Sequence, residues 1–347
     1  MRSRLFVILA LACLIAIGLK SSASDSFRPK SGKKVGFVAA KNYDEKQLQR
    51  VNASIDFSLP ETPVAHVSPA SCRGKTVLNI VAHQDDDLLF INPAISDALA
   101  AGRCVRTVFI TAGDDSLGPQ HMQHREAGAI AAYNAMLGAE LSWHYKTETL
   151  TESTHIVVAV PEGREDVSLI FLRLPDGNLD GSGFAGTHNT SLQKLWYGTI
   201  KDLTAIDSGA HLNRRELIQL LANIMRAYQP IAINSQAAGE PHGDHSDHRT
   251  TGLFTMVAAR IYAHSMEHQK AATRYYIGYP TRGRAVNLSP QQTDSKTAAF
   301  IAYAVHDPSI CHTPQSCLEH GVGSYHSFLS RQYSQPQVLL RPQRLQR

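Results

Sequence analysis

Two continuous apolar runs predict strands that are covered on both faces. Residues Thr76–Ala82 (TVLNIVA) and Val105–Thr111 (VRTVFIT) are rich in β-branched side chains and lack the strict alternation of a half-exposed strand. Residues Val167–Leu172 and the short run IAIN at 231–234 are further strand candidates. Together these runs predict the buried strands of a sheet.

Helix signals separate these strands. Residues Gln120–Leu137 are rich in alanine and are followed by Gly138, which is typical of a helix that ends at a glycine cap. Residues Asn213–Tyr228 begin with an asparagine and have Glu216 three residues later, in the pattern of a capping box. Alternating strands and helices predict an α/β fold, with a Rossmann-like, mostly parallel sheet and helices on both faces.

The first 23 residues have the pattern of a signal peptide. Two arginines precede a fifteen-residue apolar run, Leu5–Leu19, which small residues follow. The run is shorter than the span of about 20 residues that crosses a bilayer comfortably, so cleavage is favoured over a retained anchor. The pattern predicts export to the periplasm, the cell surface or the medium. Residues 24–70 are predicted to be a polar lead-in, and residues 71–347 a single domain.

Composition and charge narrow the class of protein. With 43% apolar and 18% charged residues in 347, the chain is typical of a globular protein. The formal charge is +4, but the first 23 residues contain three basic residues and no acid, so the remainder carries +1. Its sequence has no basic tract with interleaved aromatic residues, so no nucleic-acid partner is predicted. The oligomeric state is left open.

Four cysteines remain beyond the signal segment, and an even number in an exported chain predicts disulfides. Proximity in sequence predicts a bond between Cys311 and Cys317. Predicted adjacency of two strands favours a second bond between Cys72 and Cys104. Four cysteines allow three pairings, so the alternatives stay open. A zinc site built from these cysteines is not predicted, since none of them has C-x2-C spacing.

Two clusters of histidines and acids follow predicted strands. His83 and Asp85–Asp87 come directly after the first strand, and the segment PHGDHSDH at 241–248 follows the IAIN strand. Ligands of open α/β sheets collect beyond the carboxyl ends of the strands, so we expect both clusters at one edge. Each cluster alone has an ordinary explanation, because acids also stabilise the start of a solvated helix. Their occurrence together favours a metal site.

Three of these residues have the chemistry of a hydrolytic zinc site. His83 and Asp86 are three residues apart, a spacing that a turn entering a helix brings to one side. His248 can supply a third ligand, and two imidazoles, a carboxylate and an open position suit catalytic zinc. Imidazole donors favour zinc over calcium or magnesium, which prefer oxygen ligands.

The same segments resemble a known family. AHQDDD resembles the A-H-P-D-D-E signature of the PIG-L/LmbE-like zinc-dependent N-acetylglucosaminyl deacetylases, and HSDH resembles their H-P-D-H signature. Three further segments agree in the same order: TVFITAGD (107–114), REAGAIAAYNAMLG (125–138) and LRLPDGNLDG (172–181). The resemblance spans about residues 72 to 280. Gln84, Asp87 and Ser246 depart from the signatures, and none of them is a presumed ligand.

The resemblance implies a role for each residue of the two signatures. His83, Asp86 and His248 would bind zinc, and Asp85 would act as the general base. His245 would stabilise the oxyanion of the tetrahedral intermediate or protonate the leaving amine. The elementary chemistry agrees, because zinc acidifies its bound water and a carboxylate beside a ligand can accept the proton.

Three further residues are candidates around this site. Asp247 is predicted to orient a ligand histidine. Arg125 is predicted to bind sugar hydroxyls or a phosphate, and its alternative is a surface arginine paired with a helix acid. The resemblance alone makes Asp176 a candidate for the sugar site, and its alternative is an Asx turn within Pro-Asp-Gly.

These observations predict an exported, zinc-dependent hydrolase that removes N-acetyl groups from N-acetylglucosamine-type sugars or their conjugates. Its substrate would be a small molecule or a glycan. One alternative is a non-catalytic carbohydrate-binding protein on the same fold, and another is a metal-dependent hydrolase of a different amide. Asp85 favours an enzyme, because a binding module has no need of a base beside its metal.

Overall fold

The computed structural model describes residues 75–151, 154–238, 243–265, 271–311, 313–320 and 322–335. The strands are β1 (Thr76–Val81), β2 (Cys104–Thr111), β3 (Trp143–Thr151), β4 (Thr154–Pro161), β5 (Val167–Leu174), β6 (Asp202–Thr204), β7 (His211–Asn213), β8 (Ala232–Gln236), β9 (Ala272–Tyr276) and β10 (Ser334–Gln335). The α-helices are α1 (Ala94–Ala100), α2 (Pro119–Leu137), α3 (Leu192–Tyr197), α4 (Arg214–Tyr228), α5 (Ser246–Ser265), α6 (Pro290–Ala304), α7 (Pro314–His320) and α8 (His326–Leu329).

Eight of these strands form one sheet, in the order β10-β9-β8-β1-β2-β5-β4-β3. The five strands from β9 to β5 run parallel to one another. Strands β10, β4 and β3 are added antiparallel at the two edges. The predicted α/β fold with a mostly parallel sheet is confirmed.

Strand β1 lies in the middle of the sheet and contributes to a core on each face. Leu78 and Ile80 point into the core that contains residues of α4 and α5. Val77 and Val81 point into the opposite core, with residues of α2 and α6. Because both faces are covered by helices, apolar side chains at successive positions are all buried, as the continuous run predicts.

The local sequence signals predict the bounds of several strands and helices correctly to within two residues. Helix α2 ends at Gly138, whose φ of 65° is the left-handed conformation that glycine adopts without strain. Helix α4 begins with the predicted capping box, in which Asn213 and Glu216 each bond the backbone of the other. The hairpin of β3 and β4 and the helices beyond residue 280 were not predicted.

Helix α6 packs closely against α2 at a glycine. A Cβ atom at Gly128 would lie 2.7 Å from a ring carbon of Tyr303 and 2.9 Å from its backbone oxygen. The absence of a side chain at Gly128 therefore permits the close approach of the two helices. This approach brings Tyr303 toward the loops at the carboxyl ends of the parallel strands.

The cysteine predictions have different outcomes. Cys311 and Cys317 form a disulfide, with their Cα atoms 5.5 Å apart, and this pairing is confirmed. Cys72 lies outside the described residues, so its bond to Cys104 stays a prediction. The proposed signal segment and lead-in also lie outside them. Of the helices in the described ranges, none is both long enough and apolar enough to span a membrane.

Candidate metal centre

The two predicted clusters meet at one edge of the sheet. His83 and the acids after it follow β1 directly and lead into a π-helical turn at Asp87–Ile91. The second cluster follows β8, the parallel neighbour of β1, and places Asp247 and His248 in the first turn of α5. Because the carboxyl ends of neighbouring parallel strands lie side by side, segments about 160 residues apart in sequence form one buried site.

Asp86 lies between the two imidazoles that the sequence predicts as its fellow ligands. Its Oδ2 is 3.0 Å from His83 Nδ1 and accepts a hydrogen bond from the His83 backbone N–H at 2.6 Å. Its Oδ1 is 2.9 Å from His248 Nε2. The ring centroids of His83 and His248 are 5.4 Å apart. The predicted ligands are therefore brought together by the fold.

Two further acids lie on the other side of His83. Its Nε2 is 3.5 Å from Asp176 Oδ2 and 3.4 Å from Asp247 Oδ2. Asp247 Oδ2 also accepts a hydrogen bond from Gly177 N–H at 2.7 Å, which fixes the carboxylate. Asp176 accepts a hydrogen bond from the backbone N–H of Asn178, as an Asx turn does. The structure thus shows both the predicted turn and a position beside the cluster for Asp176.

The carboxylates create a negative potential at the cluster. Burial alone would lower the pKa of His248, but Asp86 and Asp244 outweigh burial and raise that pKa to about 10. Burial also disfavours the protonated form of His83, but the nearby Asp86 carboxylate outweighs burial and raises the pKa of His83. Burial and the neighbouring His83 lower the pKa of His245 to about 4. Acids that stabilise imidazolium ions this strongly would equally favour a metal cation.

Buried nitrogens without a partner show where a cation fits. Within the described part of the chain, neither His83 Nε2 nor His248 Nε2 has a hydrogen bond, although both are buried. The 2.9 Å contact of His248 with Asp86 lacks hydrogen-bond geometry. Among the described residues, three groups of side chains could hold a metal ion: His83, His245 and His248; His83, Asp176, His245 and Asp247; and His83, Asp85 and Asp86. The predicted set of His83, Asp86 and His248 is not one of these groups, although Asp86 contacts both histidines. Donors of this kind, imidazole with carboxylate, fit zinc.

Asp85 is held by a buried arginine rather than by the histidines. Arg125 donates from Nη2 to Asp85 Oδ1 at 2.6 Å, from Nη1 to the Gly113 carbonyl at 2.8 Å and from Nε to the Tyr303 hydroxyl at 2.6 Å. Asp307 is 3.5 Å from the same guanidinium. Burial raises the pKa of Asp85, and Arg125 opposes that rise. Arg125 is buried, so the alternative of a surface arginine is wrong, and its predicted contact with a substrate stays a prediction.

The chain matches a protein family over the segment that builds this site. Residues 78–259 match the family model PIG-L, described as GlcNAc-PI de-N-acetylase. The match covers more than half of the 347 residues. The chain belongs to the PIG-L family. The resemblance predicted from the two signatures is confirmed, and membership of the PIG-L family supports a deacetylase function.

Solved structures resemble this PIG-L chain at low identity. The conserved protein TT1542 from Thermus thermophilus is 15% identical, with 76% of this chain and 93% of that chain covered and a TM-score of 0.40. N,N'-diacetylchitobiose deacetylase from Pyrococcus horikoshii is 14% identical, with 76% and 78% covered and a TM-score of 0.41. GalB, the 4-carboxy-2-hydroxymuconate hydratase from Pseudomonas putida, is 13% identical, with 72% and 90% covered and a TM-score of 0.37. No curated protein matches the chain.

Asp87, which replaces the glutamate of the PIG-L signature, faces the protein interior. It is fully buried and accepts hydrogen bonds from the Tyr133 hydroxyl at 2.9 Å and from its neighbour's backbone N–H. The Tyr133 hydroxyl is also 2.5 Å from the Thr107 hydroxyl on β2. Burial raises the pKa of Asp87 to about 8. The shorter acid is therefore part of the scaffold beneath the site, where it contacts protein rather than ligand.

Asp244 is a site residue that the sequence did not single out. Its Oδ1 is 2.7 Å from His248 Nδ1 and accepts hydrogen bonds from the backbone N–H groups of His245 at 2.9 Å and Tyr279 at 3.0 Å. A side chain at Gly278 would collide with this carboxylate. An acid four residues before a candidate ligand histidine, at the start of a helix, is the signal that would have identified it. Asp244 directs Nε2 of His248 toward the cluster.

Proposed function

We propose that the protein is an exported, zinc-dependent hydrolase that removes N-acetyl groups from N-acetylglucosamine-type sugars or their conjugates. The observation that carries the proposal is a carboxylate, Asp85, which a buried arginine holds beside a cluster of metal-donor side chains. Membership of the PIG-L family supports the hydrolysis of an N-acetyl group. The donor set of His83, Asp86 and His248 supports zinc.

Different residues around the cluster can bind the metal, transfer the proton and position the base in amide hydrolysis. Zinc held by His83, Asp86 and His248 would polarise the amide carbonyl and acidify the attacking water. Asp85 accepts a proton from that water while the water oxygen bonds to the carbonyl carbon. When the C–N bond breaks, Asp85 returns the proton to the leaving nitrogen, so the immediate products are acetic acid and a free amine, which exchange the remaining proton to give acetate and an ammonium group. The guanidinium of Arg125 holds the Asp85 carboxylate in place during both transfers.

The tautomer of His245 suits it to oxyanion stabilisation. Its Nδ1 accepts a hydrogen bond from the backbone N–H of Asp247 at 3.1 Å. With the pKa of His245 lowered to about 4 by burial, the ring is neutral at pH 7, and its single hydrogen lies on Nε2. Nε2 is therefore a donor that can stabilise a developing oxyanion. Of the two predicted roles, this geometry favours oxyanion stabilisation over protonation of the leaving amine.

Metal analysis combined with acetate release tests the proposal. The full chain is loaded with zinc and incubated with a panel of N-acetylglucosamine compounds and with unrelated acetamides. We expect one zinc per chain and acetate from the amino-sugar compounds. Zinc binding with no acetate from any compound would favour a carbohydrate-binding protein. Acetate from the unrelated amides alone would favour a hydrolase of another class.

Asp244→Asn is expected to weaken zinc binding by about 10- to 100-fold, the usual effect of altering the outer partner of a metal-bound histidine. Asparagine can still accept a hydrogen bond from His248 Nδ1, but it lacks the charge that increases the basicity of the imidazole. Zinc affinity is measured by competition with a chelator. Asp294→Asn, at an exposed position of α6, is the control. Equal zinc affinity of the two variants would contradict a positioning role for Asp244.

If the protein is exported, its four cysteines beyond the signal segment should all form disulfides. Protein recovered from an oxidising compartment and denatured without reductant should contain no free thiol, because Cys72, Cys104, Cys311 and Cys317 would all be paired. Thiol titration and peptide mapping check this. Four reactive thiols in such a sample would argue against both export and the second disulfide.

A further inference from the structure

Strand β3 forms one edge of the eight-stranded sheet. In the described part of the chain it pairs with β4 alone, in an antiparallel ladder. On the outer side of an edge strand, the backbone N–H and C=O groups of every second residue point away from the sheet. The strand is nine residues long and contains no proline, so each of its residues carries an N–H that a further strand could accept.

The side chains of β3 are accessible on both faces of the sheet. Those of His144, Tyr145, Lys146 and Thr147 are exposed, and that of Glu148 is partly exposed. Tyr145 leaves 53% of its surface accessible, although its ring is large and mostly apolar. Of the β3 side chains that the structure describes, none is buried. An edge strand of this kind is typical of a surface to which another strand can be added.

The sequence around Thr147 is self-complementary in antiparallel pairing. Lys146 and Glu148 lie on either side of Thr147. When two copies of β3 pair about a two-fold axis at Thr147, each Lys146 lies directly opposite the Glu148 of the other copy, so two ion pairs form on one face. On the other face, each Tyr145 lies opposite a Thr149, and aromatic and β-branched side chains pack well across strands. All of these cross-strand pairs are favourable.

The neighbouring registers lack this match. When the axis moves by one residue to Lys146, the two Lys146 side chains lie opposite each other, and an axis at Glu148 does the same for the two glutamates. Like charges directly opposite each other destabilise a pair of strands. Charged side chains on an edge commonly hinder pairing with unrelated strands, and here they also favour one of these three registers over the other two.

From this pattern we propose that the outer edge of β3 is a homodimer interface, at which the sheets of two copies join through antiparallel β3 strands centred on Thr147. Strands β2, β5 and β4 separate β3 from β1, which leads to the first metal-donor cluster, so the two strands are about 19 Å apart. Pairing at β3 should therefore leave zinc binding unchanged, and the proposal does not depend on the proposed hydrolysis. A single pair of strands is a small interface, so we expect a dimer that dissociates on dilution.

Exchange of the two charges tests this register. Sedimentation of the purified chain over a range of concentrations should show a monomer–dimer equilibrium. Lys146→Glu and Glu148→Lys should each raise the dissociation constant of the dimer by about tenfold, because each change converts both ion pairs into like-charge contacts. The double variant should restore the wild-type dissociation constant, because it restores both ion pairs with their charges exchanged. Lys201→Glu, at an exposed position outside β3, is the matched control and should dimerise as the wild type does.

A cysteine at the proposed axis gives a second readout. In Thr147→Cys, the two introduced thiols lie opposite each other, at a Cα separation that a disulfide can span. Oxidation should trap this dimer, which non-reducing electrophoresis detects. Tyr145→Cys is the control, because its two copies are offset by four residues along the strands, about 14 Å, which is too far for a disulfide.

Three results would overturn the proposal. They are a chain that stays monomeric at every concentration, a dimer that neither charge change weakens, and equal crosslinking of the two cysteine variants. Zinc content and acetate release per chain should be the same in the wild type and in Lys146→Glu. Failure of the proposed hydrolysis would therefore leave the proposed dimer standing, and failure of the dimer would leave the hydrolysis standing.

Discussion

Asp85→Asn is expected to lower turnover by about 10²- to 10⁴-fold while zinc content stays near that of the wild type. Asparagine keeps the size of the side chain and can still accept a hydrogen bond from Arg125, but it cannot take a proton from water. Arg125 retains its bonds to Gly113 and Tyr303, so the loop should keep its place. Zinc stoichiometry, kcat and KM are measured together, and KM should change far less than kcat.

Two further variants distinguish loss of the general base from loss of the metal and from the general effect of removing a carboxylate. Asp97→Asn, at an exposed position of α1, should retain full turnover and zinc. Asp86→Asn should instead lose zinc first and activity as a consequence, because a neutral amide is a poorer zinc ligand than a carboxylate. Wild-type turnover in Asp85→Asn would remove the general base assigned to this site. Asp85 and Asp86 are both buried, so the structure does not support the alternative of a solvated acidic loop.

His248→Ala is expected to abolish stable zinc binding and, with it, acetate release. The imidazole is fully buried between Asp86 and Asp244, so its removal deletes one metal donor and leaves both acids without this partner. Elemental analysis after exhaustive dialysis measures the loss. His264→Ala is the control, because His264 lies on the same helix but is exposed near its other end. Full retention of zinc by His248→Ala would eliminate the ligand set proposed here.

The sequence predicts those parts of the fold that local chemistry determines. The continuous apolar runs of β1, β2 and β5 predict buried strands because helices cover both faces of the sheet there. Glycine and asparagine caps mark the ends of α2 and α4 for the same local reason. Strand β3 lacks such a signal, because its described side chains are all partly or fully exposed. Polar and apolar residues therefore follow no simple pattern in β3. Its partner β4 has such a signal, the apolar run HIVVAV, which was not predicted as a strand.

The same distinction applies to the site. Histidines and acids concentrated at two strand ends are visible as motifs, and the rule for parallel sheets brings them together. The partners of Arg125 are not visible in this way, since Tyr303 contacts it from 178 residues away. Tyr303 and Asp307 lie on or just after a helix whose packing against α2 depends on the whole fold. Asp244 stands within a predicted motif, but its contact with His248 depends on the turn that starts α5.

The guanidinium of Arg125 also has a consequence for the order in which the chain becomes active during synthesis. It joins the loop after β1, the loop after β2 and a hydroxyl on α6, so Asp85, the proposed general base, is fully anchored only when α6 has docked. A nascent chain that has emerged only as far as β9 contains both signatures but lacks this anchor. The last of the three contacts that hold Arg125 can therefore form only after α6 has been translated.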